Sequence, residues 1–153
     1  LTVPFDGVND ATLLPGQEFS ILATVRNEGE GPSAATTLRY YRSTNSVIST
    51  GDLQVGTDAI GALAAGAVQS ANDPEVAPAT TGTWWVGACV DSVANEAVIT
   101  NQCSTGEQIT VAPQPPAVST SQATDIGTSQ ATLHATVNPN GGATTLYFDW
   151  GTG

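Results

Sequence analysis

The sequence predicts an all-β protein: an antiparallel β-sandwich followed by an incomplete three-stranded β-unit. Thr and Val are abundant while strong helix formers are scarce, and 16 Gly and 9 Pro residues punctuate the chain. Segments that alternate apolar and polar residues recur about every ten residues, with turn residues between them. This spacing is typical of short strands in a sandwich, and an apolar content of 40% is enough to fill its core.

The clearest strand lies in the segment "FSILATVRN", which places four apolar side chains on one face. These are Phe19, Ile21, Ala23 and Val25. The segment "ATTLRYYRS" predicts a second strand, with Leu38 and Tyr40 opposed to Arg39 and Tyr41, and residues 83–91 predict another. Residues 59–67, "AIGALAAGA", are interpreted as strand, loop and strand rather than a helix because two glycines interrupt them.

The charge balance excludes several classes of partner. Fourteen acidic residues face three arginines, and the net charge is −11. Phosphate neutralisation needs cationic side chains, so we expect no nucleic-acid binding and no docking to anionic membranes. No apolar run approaches the length of a membrane-spanning helix, so direct membrane insertion is not expected.

Two cysteines, Cys89 and Cys103, are present. They flank a predicted hairpin, and their spacing fits no zinc motif. Two free buried thiols in a cytosolic protein are the competing interpretation, but the even count and the secretion-like composition favour a disulfide. A disulfide implies an oxidising compartment, and hence an extracellular or cell-surface protein.

Calcium is the metal that the composition favours, because hard oxygen ligands abound. The loop "NSVISTGDLQVGTD" offers Asn45, Asp52 and Asp58 as candidate ligands. Its spacing is not that of an EF-hand, and Asn or Asp in such loops commonly caps a turn instead. No other cofactor is predicted.

No catalytic set is predicted. His134 is the single histidine, it is expected to face solvent from a strand, and no nucleophile-elbow motif accompanies it. The pair Trp84-Trp85 suggests polysaccharide binding, since flat aromatic rings stack on sugars. Adjacent strand residues point to opposite faces, however, so we expect one ring in the core and one exposed. Cross-strand aromatic pairs that stabilise the sheet are the alternative.

The C-terminal part reads as a separate, unfinished unit. Residues 1–112 form the sandwich, residues 113–117 a Pro-rich linker, and residues 118–153 the second unit. A hairpin is predicted from residues 132–137 and 144–150, with Leu146, Phe148 and Trp150 on one uncovered face. Two interpretations stay open: a domain cut within its pattern, or a half-domain that a neighbouring subunit completes by strand addition, which would build a filament.

The segment "PGQEFSILATVRNEGEGPSAATTLRYYRS" resembles the CARDB domain, the cell-adhesion-related domain found in bacteria. The segments "GALAAG" and "TWWVGACVD" fit as well, so the resemblance covers about residues 1–112. Residues 116–153 are similar to the first half of a fibronectin type III-like domain. The resemblance implies an immunoglobulin-like sandwich that is repeated in secreted or surface proteins and has no catalytic residues.

From this resemblance we expect a non-enzymatic extracellular structural or adhesion module. The uncovered face of Leu146, Phe148 and Trp150 and the unpaired edge of their strand predict that it self-associates into a homopolymer. The alternative is a carbohydrate- or ligand-binding accessory module of a secreted enzyme.

Overall fold

The computed structural model describes residues 1–151 and contains ten strands and no helix in that range. The strands are β1 (Phe5–Val8), β2 (Thr12–Leu13), β3 (Glu18–Arg26), β4 (Thr36–Ser43), β5 (Leu53–Ile60), β6 (Val68–Val76), β7 (Gly82–Val90), β8 (Glu107–Val111), β9 (Ala117–Thr124) and β10 (Thr132–Asn138). Within these residues no helix offers the length and hydrophobicity of a membrane crossing. The chain divides into two units, Leu1–Ala112 and Pro113–Gly153.

The first unit is a sandwich of two sheets. One sheet has the strand order β1-β3-β6, and the other has the order β2-β8-β7-β4-β5. Every pairing is antiparallel except the short parallel contact of β2 with β8. The predicted all-β, immunoglobulin-like fold is therefore confirmed. The predicted strand–loop–strand interpretation of residues 59–67 is also confirmed, because β5 ends and β6 begins within or beside that segment.

Alternation along the strands builds the core between the sheets. On β3 the four predicted residues are at most 4% exposed, and on β4 Leu38 and Tyr40 are fully buried. Strands β7 and β8 add further side chains of the same layer: Val86, Ala88, Val90, Ile109 and Val111. Each large apolar side chain buried in this way contributes about 1.5–3 kcal/mol relative to an exposed position. This layer therefore dominates the stability of the sandwich.

The second unit differs from the predicted three strands. Strands β9 and β10 pair antiparallel, and β9 begins at Ala117, within the predicted linker. The predicted turn is present, because Gly142 N–H donates to Pro139 O at 3.0 Å and Asn140 and Gly141 both have positive φ. The predicted third strand is wrong, since residues 144–150 form no ladder. A small sheet without a second layer buries too little apolar surface to order another strand.

Asn27 organises the loops at the end of β3. This residue is 4% exposed. Its side-chain amide lies 2.8, 3.0 and 3.2 Å from the carbonyl oxygens of Gly31, Leu63 and Ala64. Its Oδ1 accepts a hydrogen bond from Gly29 N–H at 3.0 Å. One buried side chain thus ties the β3–β4 loop to the β5–β6 loop through hydrogen bonds to backbone groups of both.

We predict that Asn27→Ala lowers the free energy of unfolding by about 3 kcal/mol, because the variant loses the hydrogen bonds by which one buried side chain joins two loops. Asn45→Ala is the matched control. Asn45 is exposed, and its Oδ1 accepts one turn hydrogen bond from Val47 N–H. The control should lose less than about 1 kcal/mol. Urea denaturation of both variants measures the difference, and equal losses would contradict the role assigned to Asn27.

Candidate functional site

The outer face of the five-stranded sheet carries a second apolar cluster. Its members are Tyr41 from β4, Cys89 from β7 and Ile48 from the loop after β4, with the half-buried Trp85 and Cys103 packed against them. Tyr41 and Cys89 point away from the main core because side chains alternate along a strand. Sequence alternation had placed Tyr41 on the polar side, yet it is 3% exposed. Sequence periodicity could not predict that Ile48 covers Tyr41, since Ile48 reaches the sheet from a loop.

The predicted disulfide lies within this outer cluster. Cys89 and Cys103 are joined, their Cα atoms are 4.0 Å apart, and they face each other in an isolated antiparallel bridge. Next to the bond, the Oγ of the buried Ser104 accepts a hydrogen bond from Ala88 N–H at 3.0 Å. A Cβ on Gly87 would approach Ser104 Oγ to 2.6 Å, so glycine is required for this close approach. The disulfide thus pins the segment before β8 onto β7.

An ion pair borders the same face. Arg39 donates from Nε to Asp91 Oδ1 at 2.8 Å and from Nη2 to Asp91 Oδ2 at 2.7 Å. The hydrogen bond from Arg39 holds the pKa of the Asp91 carboxyl below its usual value. Both side chains are about a third or more exposed, so water screens the pair and its contribution to stability is small. Its bidentate geometry fixes the chain direction where β7 ends.

The three candidate calcium ligands have separate partners. Asn45 Oδ1 accepts from a turn N–H, and Asp52 Oδ2 accepts from the N–H and the hydroxyl of Ser49 at 2.8 and 2.9 Å. Asp58 Oδ2 instead accepts from Tyr40 Oη at 2.9 Å. Asp58 also lies about 16 Å along β5 from the start of that strand. The structure therefore does not join them in one site, and residues 1–151 contain no metal-competent group of three or more His, Cys, Asp or Glu side chains.

The tryptophan pair is divided between the two apolar clusters. Trp84 packs against the main core, and the Arg42 guanidinium carbon lies 5.5 Å from its ring centroid. Trp85 packs in the outer cluster. The expectation that one ring is buried and the other exposed is wrong, because both are half-buried. Both residues are therefore only partly accessible to solvent.

Residues 144–150 carry four exposed large apolar side chains within five positions. Leu146 is 43% exposed, Phe148 42% and Trp150 89%, and Tyr147 is 79% exposed as well. The predicted interface residues are therefore solvent-accessible in the second unit. His134 faces solvent as expected, with Nε2 at 2.9 Å from Thr124 Oγ1.

Comparison with known proteins assigns the first unit to a family. The family model described as CARDB matches residues 1–106, well over half of the chain. The chain belongs to the CARDB family. CARDB domains are a non-catalytic module family that occurs in cell-surface proteins. No curated protein matches the chain.

Two solved structures have the same fold as this CARDB domain. The CARDB domain of a Pyrococcus furiosus protein in complex with di-metal ions is 18% identical, with a TM-score of 0.57 over 72% of this chain and 86% of that one. A domain of a candidate cell surface protein from Methanosarcina acetivorans is 14% identical, with a TM-score of 0.50 over 74% and 96% of the two chains. At these identities the likeness shows the fold alone.

The CARDB motifs in this chain are determinants of the fold. Gly16, in the motif Pro15-Gly16, adopts a φ of 76° in the turn before β3, and this conformation favours glycine. Asn27 binds two loops together, and Leu38 and Tyr40 fill the core. The residues that carried the resemblance thus hold the sandwich together.

We predict that the double variant Cys89→Ala/Cys103→Ala loses about 3 kcal/mol of unfolding free energy, since the bond closes a loop with a sequence separation of 14. The inner core is untouched, so the variant should keep its β-sheet circular dichroism. Denaturation with and without reductant measures the effect. Reductant should destabilise the wild type to the level of the variant and leave the variant unchanged. Equal stability of variant and oxidised wild type would contradict the prediction.

Proposed function

We propose that this chain is a non-enzymatic extracellular module of a surface structure that self-associates through residues 144–150 by β-strand addition. The CARDB sandwich is the rigid body, and the second unit supplies the contact. One observation carries the proposal: Leu146, Phe148 and Trp150 are exposed by 42–89% in a segment that follows a hairpin turn but pairs with no strand. An extended apolar segment with free backbone groups is a template for pairing with another chain.

The apolar alternation suits such a contact. In a strand, Leu146, Phe148 and Trp150 would all project to one side. Pairing with the edge of another copy would satisfy their backbone groups and cover these side chains, and each covered large side chain contributes about 1.5–3 kcal/mol. A head-to-tail contact that does not close into a ring continues from copy to copy, and in that form it builds a filament.

The net charge sets the conditions for association. Each copy carries −11, so copies repel one another at low ionic strength. Salt screens exposed charges beyond a Debye length of about 10 Å at 0.1 M. Association should therefore strengthen as salt rises, which is the opposite of what an assembly held by surface ion pairs would show.

We predict that the triple variant Leu146→Ser/Phe148→Ser/Trp150→Ser stays monomeric in 0.5 M NaCl, where the wild type forms larger species. Sedimentation velocity measures both. The matched control removes three exposed apolar side chains from the first unit, by Val47→Ser/Val98→Ser/Ile99→Ser, whose exposures are 70%, 52% and 65%. The control should assemble like the wild type. Assembly of the first variant, or loss of assembly in the control alone, would contradict the proposal.

Polysaccharide binding is the alternative function, and the exposed Tyr147 and Trp150 favour it. These rings are open to solvent, unlike the half-buried Trp84 and Trp85. In that case the chain would act as an accessory module that retains a secreted enzyme on its substrate. Retention of monomeric protein on an insoluble polysaccharide, abolished by Trp150→Ala, would favour this alternative over self-association.

Calcium binding stays a separate proposal. The Pyrococcus furiosus CARDB domain is in complex with di-metal ions, and Asp52 offers this chain an ionised ligand. The hydrogen bond from Ser43 lowers the pKa of the Asp52 carboxyl, and the same hydroxyl accepts from Asn45 N–H at 3.2 Å. The Asn45 backbone and the Asp52 carboxyl thus both lie near Ser43, while Asp58 accepts a hydrogen bond from Tyr40.

A further inference from the structure

Two acidic residues occupy the inner side of β6. Asp73 and Glu75 alternate with exposed neighbours along the strand and are both half-buried. Across the sheet they pair with Ile21 and Phe19 of β3, which belong to the main core. Acidic side chains in such a layer are costly unless their charge is neutralised or hydrogen-bonded.

The Asp73 carboxylate is held in a confined space. Its Oδ2 is buried and has no donor among the ordinary hydrogen bonds of the described residues. It lies over Gly56 of β5, where any Cβ would clash with the carboxylate. Because residue 56 is glycine, β5 leaves room for the Asp73 side chain, which comes from β6. The Asp73 carboxyl therefore lies between the edge strands of the two sheets.

The neighbouring groups identify the donor that Asp73 needs. The Tyr40 hydroxyl of β4 donates to Asp58 Oδ2 of β5 at 2.9 Å, so that proton is already committed. Arg42 of β4 acts on Glu75 only through its charge. The remaining group is Glu75 itself, which lies two residues along β6 on the same side of the strand as Asp73. Two ionised carboxylates cannot hydrogen-bond, so a hydrogen bond between Asp73 and Glu75 requires a proton on one of them.

We propose that the Glu75 carboxyl keeps its proton in the folded sandwich and donates it in a hydrogen bond to the Asp73 carboxylate, and that this carboxyl–carboxylate pair is a pH-sensitive clasp between β5 and β6. Loss of the proton leaves two like charges side by side at the open edge of the sandwich, beside Asp58. The clasp then loosens, and the CARDB domain becomes less stable.

The titration of Glu75 sets the pH range. Burial, followed by the hydrogen bond and the charge of Asp73, raises the pKa of Glu75 from 4.5 to about 7, against a smaller opposing effect of Arg42. A carboxyl with a raised pKa binds its proton more tightly in the folded state than in the unfolded state. Its stabilising contribution is therefore complete below pH 4.5 and is lost as the pH rises through about 7.

The test compares Glu75→Gln with the wild type by urea denaturation at pH 5.5 and 8.5. For the wild type we expect the ratio of folded to unfolded protein to fall about tenfold between pH 5.5 and 8.5. This fall is smaller than the full rise in the pKa of Glu75 would give, because Glu75 is partly exposed and water screens its interactions. A Gln amide can donate to Asp73 at either pH, so most of the fall should disappear. Glu18→Gln, on the exposed side of β3, is the matched control and should keep the wild-type fall.

An equal fall in Glu75→Gln and the wild type would overturn the proposal. A carbon NMR titration of the Glu75 carboxyl in the folded wild type tests the proposal without any substitution. A midpoint near pH 7 supports the clasp, and a midpoint near 4.5 overturns it. Both readouts concern the first unit alone, so they are independent of whether residues 144–150 mediate assembly.

Discussion

The structure depends on the burial of one face of each sheet between the two layers of the sandwich. Strand alternation makes this burial: the inner residues of β3 are at most 4% exposed while their neighbours reach water. This layer fixes the register of the strands that contribute to it, because a slip by one residue would turn their apolar face outward. The loops then need further hydrogen bonds only where they cross the ends of the sheets, and the Asn27 side chain supplies such bonds.

Two departures from simple alternation carry the protein-specific features. On the outer face of the five-stranded sheet, Tyr41 and Cys89 form an apolar cluster that a loop covers and a disulfide fastens. On the inner face of β6, Asp73 and Glu75 bring carboxyl groups against the core. The first departure stiffens the domain under oxidising conditions. The second makes the stability of the same domain respond to the proton concentration of its surroundings.

The sequence predicted those features that local pattern controls. Alternation located β3, β4 and β7, and the cysteine count indicated the disulfide. The sequence pattern did not predict that Ile48 packs over Tyr41, because Ile48 lies in a loop without periodicity. Residues 144–150 alternate as a strand does, yet they form none, since a strand also needs a partner edge. The pairing of Asp73 with Glu75 depends on Gly56 of another strand, which no local pattern reports.

The central claim is that residues 144–150 pair with no strand in the monomer and form a paired strand in the assembly. Hydrogen–deuterium exchange of the same sample at low and high protein concentration tests it most directly. The account predicts rapid exchange of residues 144–150 in the monomer and slow exchange in the assembled fraction, with the amides of β3, β4 and β7 protected in both. Rapid exchange of residues 144–150 within a sedimenting assembly would contradict it.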